Sequence, residues 1–422
     1  MDSPISEPDE PGLAVAQRRD RFLPRAFQSL RFRDFRLVWM GAFASTTGTW
    51  MQMVAEAWLV LSLTGSAFYL GLTGFLGELP LLLFSLVGGV VADRSERRKA
   101  LLGSQYVQMG CAFVLTALVA LGRVRIEHLL ALVFIVGTAR SFGGPAYQAL
   151  LPELVPRETV PNAIALNSIQ FNLARVLGPL LAGAALATFG AAVCFGLNGI
   201  SFLAVILSLY LIRPVYRPGP TRDSVWMDVK KGFAYVKGQG ALWQLTILGF
   251  VSAFCGIPLV TLLPVFAKDV FHLGATGYSA MMAASGAGAV TGAILYAGFS
   301  GLRRLGRFTL RVQVVFAGLL VLFALSRNAL LSYVTLFLCG VCLISLFASI
   351  NSLVQLATSD EVRGRVVSIF MVAFRGGMPL GNLVAGILAS KYSPSATLVA
   401  LGALLATTAV GFLLSSSGVK KL

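Results

Sequence analysis

Only two histidines, His128 and His272, occur in the 422 residues, and both stand near the ends of apolar runs. With so few imidazoles, neither a histidine-based zinc site nor a Ser/His/Asp triad can be assembled. The pattern G-x-x-x-x-G-K-[ST] is absent as well, which argues against nucleotide hydrolysis by this chain. The five cysteines (Cys111, Cys194, Cys255, Cys339 and Cys342) all fall inside apolar segments, where a thiol behaves as a small hydrophobe. Cys339 and Cys342 make one C-x-x-C, but with no second pair and no histidine nearby it offers no metal or redox centre, and no disulfide framework emerges. No cofactor and no metal are therefore expected. Charge is scarce too. Charged residues make up 12% against 56% hydrophobic, and the mean hydropathy is +0.79, beyond what a water-soluble domain carries.

Long apolar runs are what the chain has instead. A spanning helix needs roughly 20 apolar residues, and twelve such stretches can be placed at about 36–63, 67–92, 99–122, 127–150, 162–188, 191–212, 241–267, 277–299, 306–325, 329–356, 365–390 and 395–415. The expected fold is an all-α membrane protein. Residues 1–25 are proline-rich and lack the apolar core of a signal peptide, and so read as a flexible cytoplasmic tail. The next stretch, AFQSLRFRDFRLVW, spaces Phe27, Leu30 and Phe35 among arginines, as expected of a short helix on the membrane surface. The expected domains are a six-helix bundle over 26–212, a linker over 213–240, a second bundle over 241–415 and a tail over 416–422. In the linker, Trp226, Val229, Phe233 and Val236 share one helical face, away from Lys230, Lys231 and Lys237.

A net charge of +16 would suggest nucleic acid in a soluble chain. Here the placement of the charges gives another explanation. Of the 34 lysines and arginines, 26 fall in segments on the side of the termini, 5 on the opposite side, and Arg140, Arg175 and Arg375 inside spans. The positive-inside rule then places both termini in the cytoplasm of a multi-pass plasma (inner) membrane protein, and no nucleic-acid partner is expected. The two halves also repeat. A shift of 200 residues aligns SIQFNLARVLGPL (168–180) with SIFMVAFRGGMPL (368–380), with identity at Ser168, Ile169, Arg175, Pro179 and Leu180. Both copies run in the same direction, which predicts a parallel repeat suited to two bundles rocking about a midplane cavity.

An ionisable residue at membrane depth costs several kcal/mol unless it faces a cavity or a partner, which makes each one a candidate. Counting ~1.5 Å per residue puts Glu56 and Glu78 roughly 12 to 17 Å below the outer surface, with Arg140, Arg175 and Arg375 near the middles of their spans. Each arginine has a plain alternative, an internal pair that ties helices together. Gln52, Gln170, Asn172, Asn198, Asn351, Gln355 and Asn382 are candidates to line a cavity, or else hydrogen-bonded glue between helices. Trp50, Trp58 and Phe142 are candidates to stack on a ligand, or else interface anchors.

The stretch GGVVADRSERRK (88–99) places Gly89, Ala92, Asp93, Arg94, Arg97 and Arg98 on the pattern G-x-x-A-D-R-x-x-R-R, with Glu96 where glycine is common. On those residues the chain resembles the major facilitator superfamily. WMQMVAEAWLVLSLTGSAFYLGL (50–72) and GGPAYQALLPELVP (143–156) resemble its branch of enterobactin exporters and macrolide efflux proteins. VGTARSFGG keeps the arginine and glycine, Arg140 and Gly144, of a motif linked to proton coupling, with Gly143 in place of glutamine. ARVLGPLLAG (174–183) resembles the antiporter motif at Gly178, Pro179 and Gly183, with Ala182 for a glycine.

The resemblance implies a secondary transporter working by alternating access, specifically a proton-coupled exporter of a small amphipathic molecule, drug or siderophore. It would be seated in lipid as a monomer, with protons and a small-molecule substrate as its partners. An uptake carrier, an uncoupled facilitator, a non-transporting receptor and a membrane-embedded enzyme remain as alternatives, and an enzyme is disfavoured by the missing catalytic residues. A buried carboxylate favours its protonated form and a nearby arginine the ionised one. Glu56 or Glu78 is therefore expected to carry the proton and Arg140 to tune it. Arg175, Arg375 and the polar neutral residues are expected to meet substrate. The resemblance further implies a cytoplasmic gate in which Asp93, flanked by Gly89, Arg94, Arg97 and Arg98, docks on the first turn of span eleven beside Arg363 and Arg365.

Overall fold

The computed structural model describes residues 25–94, 96–212, 233–298, 304–415 and 418–422, with backbone alone at 25–26, 85–94 and 421. The described residues form long helices: α1 (Arg33–Thr64), α2 (Ala67–Arg94), α3 (Arg97–Ala120), α4 (Ile126–Leu150), α5 (Val160–Thr188), α6 (Ala191–Leu211), α7 (Gly240–Gly256), α8 (Pro258–Val265), α9 (Gly274–Gly298), α10 (Leu305–Leu325), α11 (Ala329–Leu356), α12 (Arg363–Lys391) and α13 (Pro394–Leu414). Their ends fall within about one helical turn of the hydropathy boundaries. Eleven helical segments among the described residues are long and apolar enough to cross a membrane, with α7 and α8 continuous in one of them. The break between these two falls at a proline: Pro258 donates no N–H, and Pro264 repeats the interruption inside α8.

Helix α1 is not among those eleven. At 32 residues it is long enough to span, but Ser45, Thr46, Thr47, Thr49, Gln52 and Glu56 dilute its apolar content. It is instead packed against α5 and α6, which gives those polar groups protein to face. Two residues reverse the chain between α1 and α2. Gly65 adopts φ +61° and its N–H returns to the Leu61 carbonyl, a left-handed cap that a side chain would strain.

Two segments lie at the edges. The one before α1 is a short 3-10 helix, Arg25–Arg31, and the rest of the expected stretch continues into α1. Phe35 is fully buried inside α1, and Ser29 N–H donates to Asn162 Oδ1 at 2.9 Å. The tail after α13 is docked where it is described: Val419 is fully buried and its N–H donates to Gln244 Oε1 at 3.1 Å. Residues 1–24 and most of the linker, 213–232, lie outside the described residues. At the linker's end Val236 is buried and Phe233 meets Trp243 edge-on at 6.1 Å.

The packing partners recur across the chain. In the first half α1 lies on α5 and α6, and α4 on α2 and α3; in the second α7 lies on α12 and α13, and α11 on α9 and α10. Two long contacts join the halves, α2 with α12 and α5 with α9. With lipid as solvent, close backbone approach holds such pairs better than apolar burial does. A Cβ on Gly288 of α9 would come 1.9 Å from the Phe337 carbonyl of α11.

The halves are joined unevenly along their length. At the end away from the termini, one core cluster runs from Val54, Leu61, Leu70 and Phe195 of the first half into Leu259, Phe266, Met281 and Phe323 of the second. At the end bearing the termini, Phe35, Leu101, Leu150, Leu166 and Leu209 form a cluster of their own that, among the described residues, includes none beyond Ile212. The α2–α12 pair diverges in the same sense: a Cβ on Gly71 would sit 2.7 Å from the Gly386 Cα, whereas one on Gly376 would meet only the Leu82 methyls at 3.8 Å.

Candidate functional site

Just inside the sealed end is a cavity of about 310 Å³. Gln52, Glu56, Glu78, Arg140, Asn198 and Asn382, all singled out from sequence, line it together. The helical repeat explains the convergence on α1, where Thr49, Gln52, Met53 and Glu56 follow one another at spacings of three and four and so share one face. On α2, Leu70, Thr73, Gly74, Gly77 and Glu78 do the same. Each side chain points inward because these two faces meet α4, α6 and the second half.

Beside Glu56 the amides are fixed. Asn198 Nδ2 donates to Gln52 Oε1 at 2.7 Å, and Gln52 stands one helical turn before Glu56 on the cavity face of α1. Asn198 is itself fixed, its carbonyl oxygens serving as acceptors for the Ser201 hydroxyl. A Cβ on Gly48 would lie 2.6 Å from Asn198 Oδ1, so the glycine leaves room for this relay. Arg140 lines the same cavity, and no ion pair joins it to Glu56 within 4.0 Å among the described residues. Two carboxylates and one guanidinium thus share a space whose other walls include Met53, Leu132, Val136, Phe202, Met282 and Met378. Such a site suits an amphipathic molecule and holds groups able to take up and give back a proton.

Other candidates stand elsewhere. Asn382 touches the cavity, but it accepts from Thr261 Oγ1 at 2.8 Å and fills the notch left by Gly74 on α2. Arg175 places its guanidinium 5.5 Å over the Trp50 ring. Gln170 is buried on α5 with its Nε2 unpartnered, and Asn351 Oδ1 is likewise unpartnered. Asn172 donates back to the Ser168 carbonyl of its own helix at 2.8 Å. Gln355 and Arg375 are exposed. The antiporter-like residues stand at close helix contacts: a Cβ on Gly178 would meet Trp50 Cβ at 2.4 Å, one on Gly183 would meet Ser279 Cβ at 2.9 Å, and Pro179 is buried beside them. Gly143 follows the same logic, since a Cβ there would come 2.3 Å from Ser104 Oγ. Any larger side chain at that position, glutamine included, would collide with α3.

Of Gly89, Asp93 and Arg94 only the backbone is described. Their motif partners are engaged within the first half: Arg97 pairs with Glu153 and donates to the Ala149 carbonyl at 3.1 Å, and Arg98 lies 5.5 Å over Tyr210. Arg363 pairs with Asp360 at 2.5 Å. Sequence reasoning missed Glu153 as the partner of Arg97, and it also missed Gln108, Thr261 and Tyr278 as cavity walls. Tyr278 stacks on Trp58 at 6.2 Å and 19°, bridging the halves over the cavity. Only Gln108, a polar residue in the middle of a span, gave a signal that could have been read.

This architecture is shared with proteins already described. The chain is similar to the staphyloferrin A transporter of Staphylococcus aureus, 26% identical over 375 residues, which cover 86% of this chain and 91% of that one. Macrolide efflux protein A of Streptococcus pyogenes is 22% identical over 368 residues, covering 85% and 89%. Among solved structures, a variant of the nucleoside transporter NupG superposes with a TM-score of 0.72 at 12% identity, covering 90% of this chain and 99% of that one. The profile of the transmembrane secretion effector family matches residues 25–420. With that match spanning nearly the whole chain and the fold in agreement, the protein belongs to the transmembrane secretion effector family of the major facilitator superfamily, and is a multi-span membrane transporter rather than an enzyme.

Proposed function

We propose that this transporter is a proton-coupled exporter working by alternating access, with both termini in the cytoplasm of the inner membrane and a small amphipathic molecule as substrate. The observation that carries the reading is the cavity in which Glu56 and Glu78 face Arg140 beneath a seal made by both halves. Recurrent packing partners support two six-helix bundles, 26–212 and 241–415, related as parallel repeats and acting as one monomer. The core that is continuous at one end and divided at the other supports an inward-open form. The lysine and arginine census supports the cytoplasmic assignment of the open end. Export, rather than uptake, is supported by the similarity to a macrolide efflux protein.

Glu56 is the coupling carboxylate in this reading, because it lines the cavity beside the fixed Asn198–Gln52 pair and shares that space with Arg140. Everted vesicles carrying the protein, energised by respiration, should accumulate substrate and lose it on addition of an uncoupler. Glu56→Gln should abolish gradient-driven accumulation while leaving substrate binding measurable. Accumulation by Glu56→Gln at the wild-type rate, or indifference of the wild type to the uncoupler, would refute the proposal.

A further inference from the structure

We propose that the molecule carried is an organic anion, an amphipathic carboxylate or a comparably acidic compound, and that Arg175 and Arg375 supply its counter-charge. This rests on the transporter reading above and adds the chemistry of the cargo.

Deep within the spanning helices stand three arginines, Arg140, Arg175 and Arg375, and two carboxylates, Glu56 and Glu78. Both carboxylates share their cavity with Arg140. Neither Arg175 nor Arg375 has a carboxylate in an ion pair among the described residues. A guanidinium stays protonated at any working pH, and at bilayer depth it must face water or an opposite charge. Arg375 is exposed. It lies three and seven residues before Met378 and Asn382, two cavity walls on the same face of α12, so its exposure is to the space between the halves rather than to lipid. Arg175 is held on its partner helix by the Trp50 ring, which Phe171 backs edge-on at 6.0 Å. A ring face steadies the cation and leaves the in-plane N–H fork free for a planar anion.

The two positions match in the 200-residue repeat, and so each half contributes one guanidinium at the same depth. An anion between the bundles would meet both. Met282 and Met378 offer polarisable apolar surface to the rest of such a molecule.

The test is equilibrium binding to the full-length protein in nanodiscs, read by thermal stabilisation and tryptophan fluorescence. The probes are a panel of naphthyl and pyrenyl carboxylic acids, their methyl esters and the matched amines. The acids should bind about tenfold or more tighter than their esters, the scale of one charged hydrogen-bonding contact. Arg375→Gln and Arg175→Gln should erase that preference and Arg375→Lys should retain part of it. Equal binding of acids, esters and amines by the wild type would overturn the proposal, as would a full acid preference in Arg375→Gln. Should Arg175→Gln fail to fold, Arg375→Gln, on an exposed position, still decides. No gradient is present in this assay, so failure of proton coupling in vesicles and failure of anion selectivity are separate results.

Discussion

At Gln52, one helical turn before Glu56 on the cavity face of α1, the amide oxygen is held by a residue 146 positions away, Asn198. Asn198→Leu would leave the Gln52 oxygen unpaired in a half-buried site, at a cost of about 1 kcal/mol. The expected outcome is a lower melting temperature in detergent together with slower gradient-driven transport, whereas Asn172→Leu, which breaks only a bond within its own helix, should leave transport near wild type. Equal transport in the two variants would remove the relay from the mechanism. Arg97 and Glu153 invite a second substitution. Their pair is half-buried, at 21% and 15% side-chain exposure, and Glu153→Ala would leave a guanidinium without its partner. A loss of about 1 to 3 kcal/mol is expected, less than for a fully buried pair because solvent screens part of it. Thermal unfolding in nanodiscs would measure it. From sequence, Glu56, Glu78, Arg140 and Gln52 were legible because polar groups are conspicuous in apolar spans. The Asn198–Gln52 contact and the Arg97–Glu153 pair were not, since hydropathy says how deep a residue lies and nothing about which neighbour it meets.

Among the helices, glycines separate close contacts from open ones in a way that can be tested by a single methyl group. Gly178→Ala would drive a Cβ into Trp50 and Thr47, forcing α5 away from α1 at a cost of about 1 to 3 kcal/mol by overpacking. Gly144→Ala, with nothing within 4 Å of its Cβ, should leave stability unchanged or slightly raised by helix propensity. The comparison is made by melting both variants in the same detergent. The element boundaries were legible in advance, because bilayer thickness fixes the length of an apolar helix. Two features were not: the α7–α8 break, whose proline lies in an apolar run that reads as one span, and the roof formed by Trp58 and Tyr278. Aromatic residues near span ends read as interface anchors, and only the approach of α1 to α9 turns this pair into a contact between halves.

For the molecule as a whole, the alternating access proposed above requires the seal over the cavity to open. In a chain whose five native cysteines are replaced by serine or alanine, cysteines at positions 58 and 278 should be bridged by a short bifunctional thiol reagent. Bridging should stop transport and reduction of a cleavable reagent should restore it. Undiminished transport by the bridged protein would contradict a moving seal. The sequence alone determined that this is a membrane protein built of many long apolar segments, which end holds the positive charge and that a few ionisable groups lie deep, because composition and spacing respond directly to the dielectric of the bilayer. Tertiary structure decided which of those groups share a cavity, which glycines are packing notches, and that the two halves touch at one end and part at the other. Those outcomes depend on contacts between residues hundreds of positions apart, where small residues let backbones approach and large ones hold them off.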